Sequence, residues 1–438
     1  PTIIMMLVVS LYTIVDGVLI ARLVGENALA AANVAYPAIS FTLAMGIMLG
    51  TGGSAVVAHK MGAGYLEEAR RDFGFLALVA VCIGLAVCLA GALFAGPLAR
   101  LLGASDLLLD DTVTYLRVQL CFAPMAMLQL LFESFFVTAG RPGLGLGLTV
   151  CSGLTNAVLD YLYMGPMQMG ILGAALGTVT GYSIPAVAGG LFFLLRRQGL
   201  RFGRPHGDLR MLGRACFNGA SEMVTNLSMA VTTFLFNAIM MAYLGEAGVS
   251  AITIVLYAQF LLVALYMGFS MGVAPVFSFN RGAGRYDRMR RIFGYCLRFI
   301  LVSSVAILAV ALALSGVVVG IFSTPGSPVY AIALDGFRRF APAFLFAGVN
   351  IFSSALFTAL SDGRTSAIIS FARTFGFLLL GLLLLPRLLE VDGVWLAVPL
   401  AELLSCLLSV WFLRRKRAAF GFGGGDLPRH GGRGGGRI

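Results

Sequence analysis

Four polar side chains interrupt apolar stretches in the first half of the chain. Asp16 lies in the first stretch, Asn156 and Asp160 lie in the fifth, and Thr178 lies in the sixth. Asn156 and Asp160 are four residues apart, which places them on one face of a helix. Two carboxylates in a medium of low dielectric cannot easily both ionise, so Asp16 and Asp160 are expected to share a proton or to bind a metal cation such as Na⁺.

Other ionisable residues also fall within apolar stretches. Glu222 is a secondary candidate for cation binding, and Glu133 has a similar position in the first half of the chain. Both lie about two to three turns from a helix end, so each could instead extend its carboxylate to a membrane surface. Arg373 and Glu402 come at similar depths on consecutive helices, which predicts a buried structural ion pair.

Methionine and aromatic side chains are frequent in the first, second and fourth apolar stretches. They could line an adaptable cavity for flat lipophilic cations, because sulfur is flexible in its packing and aromatic faces attract cations. The alternative for each is contact with lipid or with a neighbouring helix. The candidates for this cavity are Met5, Tyr12, Tyr36, Phe41, Met45, Phe132 and Phe136.

The elements that position these residues must be membrane helices. Of the 438 residues, 59% are hydrophobic and 12% are charged, whereas soluble domains carry about 25% charged residues. A bilayer core needs about 20 apolar residues per helix, and backbone in lipid must satisfy its own hydrogen bonds. We therefore expect an all-α integral membrane protein with twelve transmembrane helices. The predicted spans are 1–21, 28–58, 73–96, 112–138, 143–163, 170–195, 214–243, 247–276, 292–322, 338–360, 365–386 and 393–413.

Arginine residues indicate the orientation of the spans. They are concentrated in the loops that follow even-numbered spans, as at Arg70 and Arg71, and are sparse in the other loops. By the positive-inside rule both termini are cytoplasmic. Asp16, Asp160 and Thr178 then lie about 8 to 12 Å from the outer ends of their helices, at one depth. The alternative is that Asp16 and Asp160 are separate residues at helix ends that reach the lipid headgroups.

The chain resembles itself at a shift of about 220 residues. Leu23-Val24-Gly25-Glu26 matches Tyr243-Leu244-Gly245-Glu246, and Gly62-Ala63-Gly64 matches Gly282-Ala283-Gly284. A repeat of six spans keeps both halves in the same orientation, so two six-helix bundles related by an axis along the membrane normal are expected. The predicted division is an N-lobe at 1–195, a cytoplasmic linker at 196–213, a C-lobe at 214–413 and a tail at 414–438.

Several functional classes lack their sequence signals. The basic, Gly-rich tail is expected to be disordered, and binding of nucleic acid is not expected from it. No GxxxxGK[ST] loop indicates use of ATP, and no HExxH motif indicates a zinc hydrolase. The seven cysteines have no metal-type spacing. An enzyme and a bound cofactor are therefore not expected.

These residues resemble the multidrug and toxic compound extrusion (MATE) family, in the branch similar to the DNA-damage-inducible protein F. The matching features are Pro1, Tyr12 and Asp16 in helix 1, the run LVGENALAAANVAYP, the segment from Gly46 to Gly64, Asn156-x-x-x-Asp160, and Thr178. The resemblance covers residues 1–415. It implies a monomeric exporter in the inner membrane of a prokaryote that exchanges diverse, often cationic drugs for H⁺ or Na⁺.

The resemblance also implies roles for particular residues. Asp16, Asn156, Asp160 and Thr178 would form the ion-coupling site of an N-lobe cavity, and Pro1 would permit bending of helix 1. In the C-lobe, Asn350 stands where some family branches pair a helix 10 acid with an acid like Glu222. A C-lobe cation site is therefore not expected.

Two rival functions remain open from the sequence. A flippase for lipid-linked precursors would need several Arg residues around the cavity to bind pyrophosphate, and the first-half spans show no such cluster. An ion channel would need no carboxylate that binds a proton.

Overall fold

The computed structural model describes residues 1–417, and its secondary structure is helical. The predicted disordered tail lies mostly at 418–438, outside the described residues. The first half contains α1 (Thr2–Leu23), α2 (Glu26–Gly62), α3 (Leu66–Leu101), α4 (Leu109–Cys121), α5 (Ala123–Thr138), α6 (Pro142–Met164) and α7 (Gly170–Leu195). The second half contains α8 (Leu209–Gly282), α9 (Tyr286–Ala313), α10 (Ser315–Phe322), α11 (Pro328–Phe340), α12 (Ala343–Ala359), α13 (Gly363–Phe371), a π-helix (Ala372–Leu378) and α14 (Leu379–Arg415).

These helices make twelve crossings, as predicted. Within residues 1–417, eight helices are long and apolar enough to cross a bilayer, and two bent pairs, α4 with α5 and α11 with α12, each add one crossing. The long helix α8 contains two crossings, because its backbone turns at Gly245 (φ 61°). The last two crossings meet at Glu390 (φ 53°), and the first of them consists of α13, the π-helix and the start of α14.

Three predicted spans have different boundaries from the helices of the structure. The predicted spans 112–138 and 338–360 are each two helices, bent by 54° and 55°. Pro124 and Pro342 lie at these bends, where a residue without a backbone N–H cannot continue the helical ladder. The span expected at 73–96 belongs to a longer helix, α3, which extends beyond the apolar segment at both ends.

An aromatic cluster forms part of the core of the first bundle. The Phe73 ring contacts the Phe135 and Phe193 rings at centroid distances of 4.5 and 4.7 Å, and it stacks on Phe202 of the linker at 4.9 Å. Phe202 lies in the segment before α8 that has no regular secondary structure. The linker is therefore packed against one end of the first bundle.

The two bundles meet along a glycine seam between α2 and α8, which we define by Gly52, Gly62, Gly219 and Gly282. A Cβ atom at Gly62 would overlap the carbonyl oxygen of Phe279, and one at Gly282 would overlap that of His59. Both members of this contact obey the 220-residue shift, so the internal repeat is also a symmetric contact in space. Gly52 and Gly219 make similar backbone approaches to Ala215 and Met48.

The opposite ends of the bundles are less tightly packed against each other. Tyr36 of α2 and Tyr257 of α8 lie near each other across the two halves, yet they are 53% and 40% exposed. The cleft between the bundles is therefore closed at the glycine seam and open beside Tyr36 and Tyr257.

Candidate functional site

Small residues bring α6 and α7 together where the polar residues lie. Gly177 leaves the space that Asp160 occupies, because a Cβ atom at this position would overlap the Asp160 carboxyl oxygen. One turn further along α7, the carbonyl oxygen of Gly181 accepts a hydrogen bond of 2.7 Å from the Ser152 hydroxyl. The resulting close approach removes Asp160 from solvent, and its exposed fraction is 0%.

Asp16, Asn156 and Asp160 form one cluster. Asn156 Nδ2 donates to Asp160 Oδ2 at 2.8 Å. The Asp16 carboxyl of α1 lies beside the Asp160 carboxyl, within hydrogen-bonding reach. Asp16 Oδ1 and Asp160 Oδ1 are both buried without a hydrogen-bond partner. A proton shared between the two carboxyl groups would satisfy these oxygens, and a Na⁺ ion would use the same oxygens as ligands.

Thr178 does not donate to this cluster in the described conformation. Its hydroxyl instead donates to the carbonyl oxygen of Ala174 at 3.0 Å, one turn earlier on α7. A threonine within a helix can bond its own backbone in this way, and spacing alone could not reveal that choice. The place of Thr178 in the ion-coupling site therefore stays a prediction, since its hydroxyl bonds its own helix in this conformation.

Three tyrosines lie around the carboxylates, and Tyr12 alone among them was a candidate from the sequence. Tyr115 of α4 and Tyr182 of α7 lie near both Asp16 and Asp160. Tyr12 of α1 packs its ring against Gly153 of α6. Tyr182 follows Thr178 by one helical turn, and this spacing is the sequence signal that could have identified Tyr182 as a residue of the site. Tyr115 lies on a different helix, so only the tertiary fold brings it to the site.

Most of the predicted cavity residues are core residues instead. Phe132 and Phe136 belong to the aromatic cluster of the first bundle, with exposed fractions of 1% and 0%. Met5 is also buried, and its sulfur lies near Gly145 of α6. Met45 is partly buried and packs against the same core. Met5, Phe132 and Phe136 therefore do not line a cavity in this conformation, because methionine and phenylalanine spacing is the same in a core as in a cavity. For Met45 the cavity role stays a prediction.

Three other predicted residues have distinct surroundings. Tyr36 faces the second bundle across the cleft, as a cavity residue would. Phe41 lines an apolar pocket of about 580 Å³ between α2, α3 and α4, which contains none of the carboxylates. Pro1 precedes the first residue of α1, and α1 has no internal break. α1 is unbroken in this conformation, and bending near Pro1 stays a prediction.

The second bundle contains a buried polar network. Arg373 Nε donates to Glu402 Oε1 at 2.9 Å, and Asn350 Nδ2 donates to Glu402 Oε2 at 2.7 Å. The Ser409 hydroxyl donates to Asn350 Oδ1 at 3.1 Å. Arg373 lies in the π-helix, an irregularity that often marks a functional position. Glu222 is half-buried and interacts electrostatically with Arg373.

A small cavity adjoins this network. It has a volume of about 150 Å³, and its polar lining includes Ser228, Thr232, Gln259, Arg373 and Glu402. Small-molecule pockets usually have volumes of about 300 to 1,000 Å³, so this cavity could hold a few water molecules but not a drug. Within residues 1–417, no group of three or more His, Cys, Asp or Glu side chains could hold a metal ion.

Comparisons with known proteins agree with this architecture. The MatE family model matches residues 1–162 and 223–383. The multidrug export protein MepA of Staphylococcus aureus (strain NCTC 8325 / PS 47) is 23% identical over 430 residues, which cover 93% of this chain and 92% of that protein.

Two solved structures are similar along nearly the whole chain. An outward-facing MATE family transporter of the MOP superfamily has a TM-score of 0.89 and 19% identity, covering 96% of this chain and 94% of that chain. The MATE multidrug transporter DinF-BH, solved as a complex, has a TM-score of 0.87 and 23% identity with the same coverage.

Proposed function

The chain belongs to the MatE family of membrane transporters, and on this premise we propose that it is a multidrug exporter driven by exchange for H⁺ or Na⁺. The observation that carries the proposal is the buried Asp16–Asp160 pair, whose two unpartnered oxygens lie between α1 and α6. An unpaired carboxylate within the membrane is costly, so such a pair indicates a functional cation site. No enzyme activity is involved, because members of this family are transporters.

The described conformation suits the release step of such a cycle. From the arginine distribution we assign the glycine seam, at the Gly62 end of α2, to the cytoplasmic side. The cleft is then closed towards the cytoplasm and open towards the exterior. In this state the Asp16–Asp160 pair would take up a cation from the exterior and lose the negative charge that attracts a cationic drug. The drug then leaves outward. Coupling requires only that ion and drug favour different conformations.

The chemistry of the site argues against the flippase. Asp16, Asp160 and Glu133 are acidic, and the residues interacting with them are Tyr, Gln and Asn side chains. A lipid-linked pyrophosphate would be repelled by these groups. The relatives whose names specify a cargo are multidrug exporters, which supports the drug as cargo.

Efflux from reconstituted vesicles tests this proposal. A fluorescent cationic dye should leave the vesicles faster under an imposed pH or sodium gradient, and Asp160→Asn should remove that acceleration because the variant cannot bind the coupling ion. Asp110→Asn is the matched control, since Asp110 is an exposed acid in the first turn of α4. Wild-type efflux that responds to neither gradient would contradict the proposal.

A further inference from the structure

Glu133 is a buried carboxyl group that the proposed exchange does not yet use. It lies on α5, and its exposed fraction is 5%. Its described partner is Gln129, whose Nε2 donates to Glu133 Oε1 at 3.2 Å. None of the ion pairs within residues 1–417 includes Glu133. The alternative that this side chain reaches the membrane surface is therefore wrong for this conformation.

The described partners of Glu133 supply no positive charge. Tyr12 of α1 and Tyr182 of α7 lie near its carboxyl group, and its hydrogen-bond partner is the neutral amide of Gln129. Isolated ionised carboxylates are very costly in an apolar medium, and such groups take up a proton instead. The burial of Glu133 therefore favours binding of a proton by its carboxyl group.

Glu133 and the Asp16–Asp160 pair are separate sites that share neighbours. Tyr12 precedes Asp16 by one helical turn on α1, and its hydroxyl lies beside the Gln129 amide. Tyr182 interacts with Asp16, Asp160 and Glu133. Glu133 is five residues from the inner end of α5, about 8 Å along the axis, whereas the Asp pair lies in the outer half. Any movement of α1 or α7 during transport would change the surroundings of both sites.

We infer that Glu133 is a second proton-binding carboxyl group, and that two protons, one at the Asp16–Asp160 pair and one at Glu133, enter for each drug exported. The inference rests on proton-coupled exchange being the function. The proton on Glu133 would leave on the cytoplasmic side when α1 and α7 rearrange, and a new one would bind after the outward return. Exchange of two protons for one monovalent cation moves one net positive charge inward, so the membrane potential would drive export.

The test uses ethidium, a fluorescent monocation, loaded into vesicles that contain the full-length protein. An inside-negative potassium diffusion potential is imposed with no pH or sodium gradient. Wild-type protein is expected to export ethidium against this potential. Glu133→Gln, which keeps the shape and a hydrogen bond to Gln129, is expected to lose export driven by potential and to retain export driven by a pH gradient, since exchange of one proton for one monocation is electrically neutral.

Two further variants separate loss of the proton site from loss of structure. Ser134→Ala changes a neighbouring buried residue without removing a carboxyl group, and it should respond to potential like wild type. Glu133→Asp retains a titratable group and should keep a response to potential. Equal responses of wild type and Glu133→Gln, or wild-type export that a pH gradient drives and potential does not, would overturn the inference. Wild-type export without any response to proton gradients would instead contradict proton coupling itself.

Discussion

At the scale of single residues, the Asp16–Asp160 pair combines burial with carboxyl oxygens that have no hydrogen-bond partner, and this combination destabilises a protein core. Both carboxyl groups are surrounded by apolar helices, and each keeps an oxygen without a partner. A purely structural pair would be expected to satisfy those oxygens. Because a proton or Na⁺ would satisfy them, the charge of the site depends on ion binding, and so does its attraction for a cationic drug.

The first prediction concerns this charge. Wild-type protein should bind a cationic drug less tightly as the pH falls, because protonation removes the negative charge from the pair. Asp160→Asn should fold, bind the drug with an affinity near that of protonated wild type, and show little dependence on pH. Binding titrations with purified protein across a pH series would measure this. An Asp160→Asn variant with the wild-type pH profile would place the coupling site elsewhere, and Glu222 would be the next candidate.

The second prediction concerns Arg373 and Glu402. Glu402→Gln or Arg373→Met should each cost about 3–5 kcal/mol, because the remaining charge stays buried without its partner. The double variant should cost less than the sum of the two, since it leaves neither charge unpaired. Thermal unfolding in detergent measures the change. Asp335→Asn, at the exposed ion pair with Arg339, is the control and should cost about 1 kcal/mol or less.

The polar residues of the site could be predicted from the sequence, but most of their partners could not. A carboxyl group within an apolar span is energetically costly, so Asp16, Asp160 and Glu222 can be identified as functional candidates without a structure. Phenylalanine carries no such cost, and Phe132 in a core looks the same as Phe132 in a cavity. The role of Thr178 depends on one side-chain rotamer, which spacing does not determine.

At the scale of elements, glycine determines how closely the two bundles approach. Gly62 and Gly282 allow α2 and α8 to touch through backbone atoms at the end that we assign to the cytoplasm. The 220-residue repeat was readable from the sequence, but the contact between its two copies was not, because a repeat does not reveal which of its parts meet at the symmetry axis. We expect this seam to open when the transporter faces inward.

The third prediction tests the seam. Gly282→Ala should disfavour closure, because its Cβ atom would overlap the carbonyl oxygen of His59. Overpacking of this kind costs about 1–3 kcal/mol, which corresponds to a shift of about 5- to 150-fold in favour of inward-facing protein. Gly213→Ala is the matched control, since this glycine of the same helix has open space around it.

Spin labels can measure that shift. Labels at residues 104 and 324, related by the 220-residue shift, would report the separation of the outer loops in a background without the seven native cysteines. Gly282→Ala should shorten this distance relative to wild type, and Gly213→Ala should not. An unchanged distance distribution in Gly282→Ala would show that the seam does not control the conformation.

At the scale of the whole molecule, twelve crossings arranged as two similar bundles were predictable because the bilayer fixes the length and polarity of each span. The bends at Pro124 and Pro342 were not predicted, since hydropathy does not record local backbone direction. The proposed coupling site lies in one bundle, whereas the symmetry belongs to both. This asymmetry is consistent with one bundle binding the ion while both define the cleft.

The most direct test of the central claim is to measure the coupling ion while the drug moves. Vesicles loaded with a cationic drug and a pH-sensitive dye should become more acidic inside as the drug leaves through wild-type protein, or should gain sodium if Na⁺ is the coupling ion. Asp160→Asn should show neither change, and Asp110→Asn should behave like wild type. Drug export through wild-type protein without inward movement of either H⁺ or Na⁺ would contradict an exchange mechanism at the Asp16–Asp160 pair.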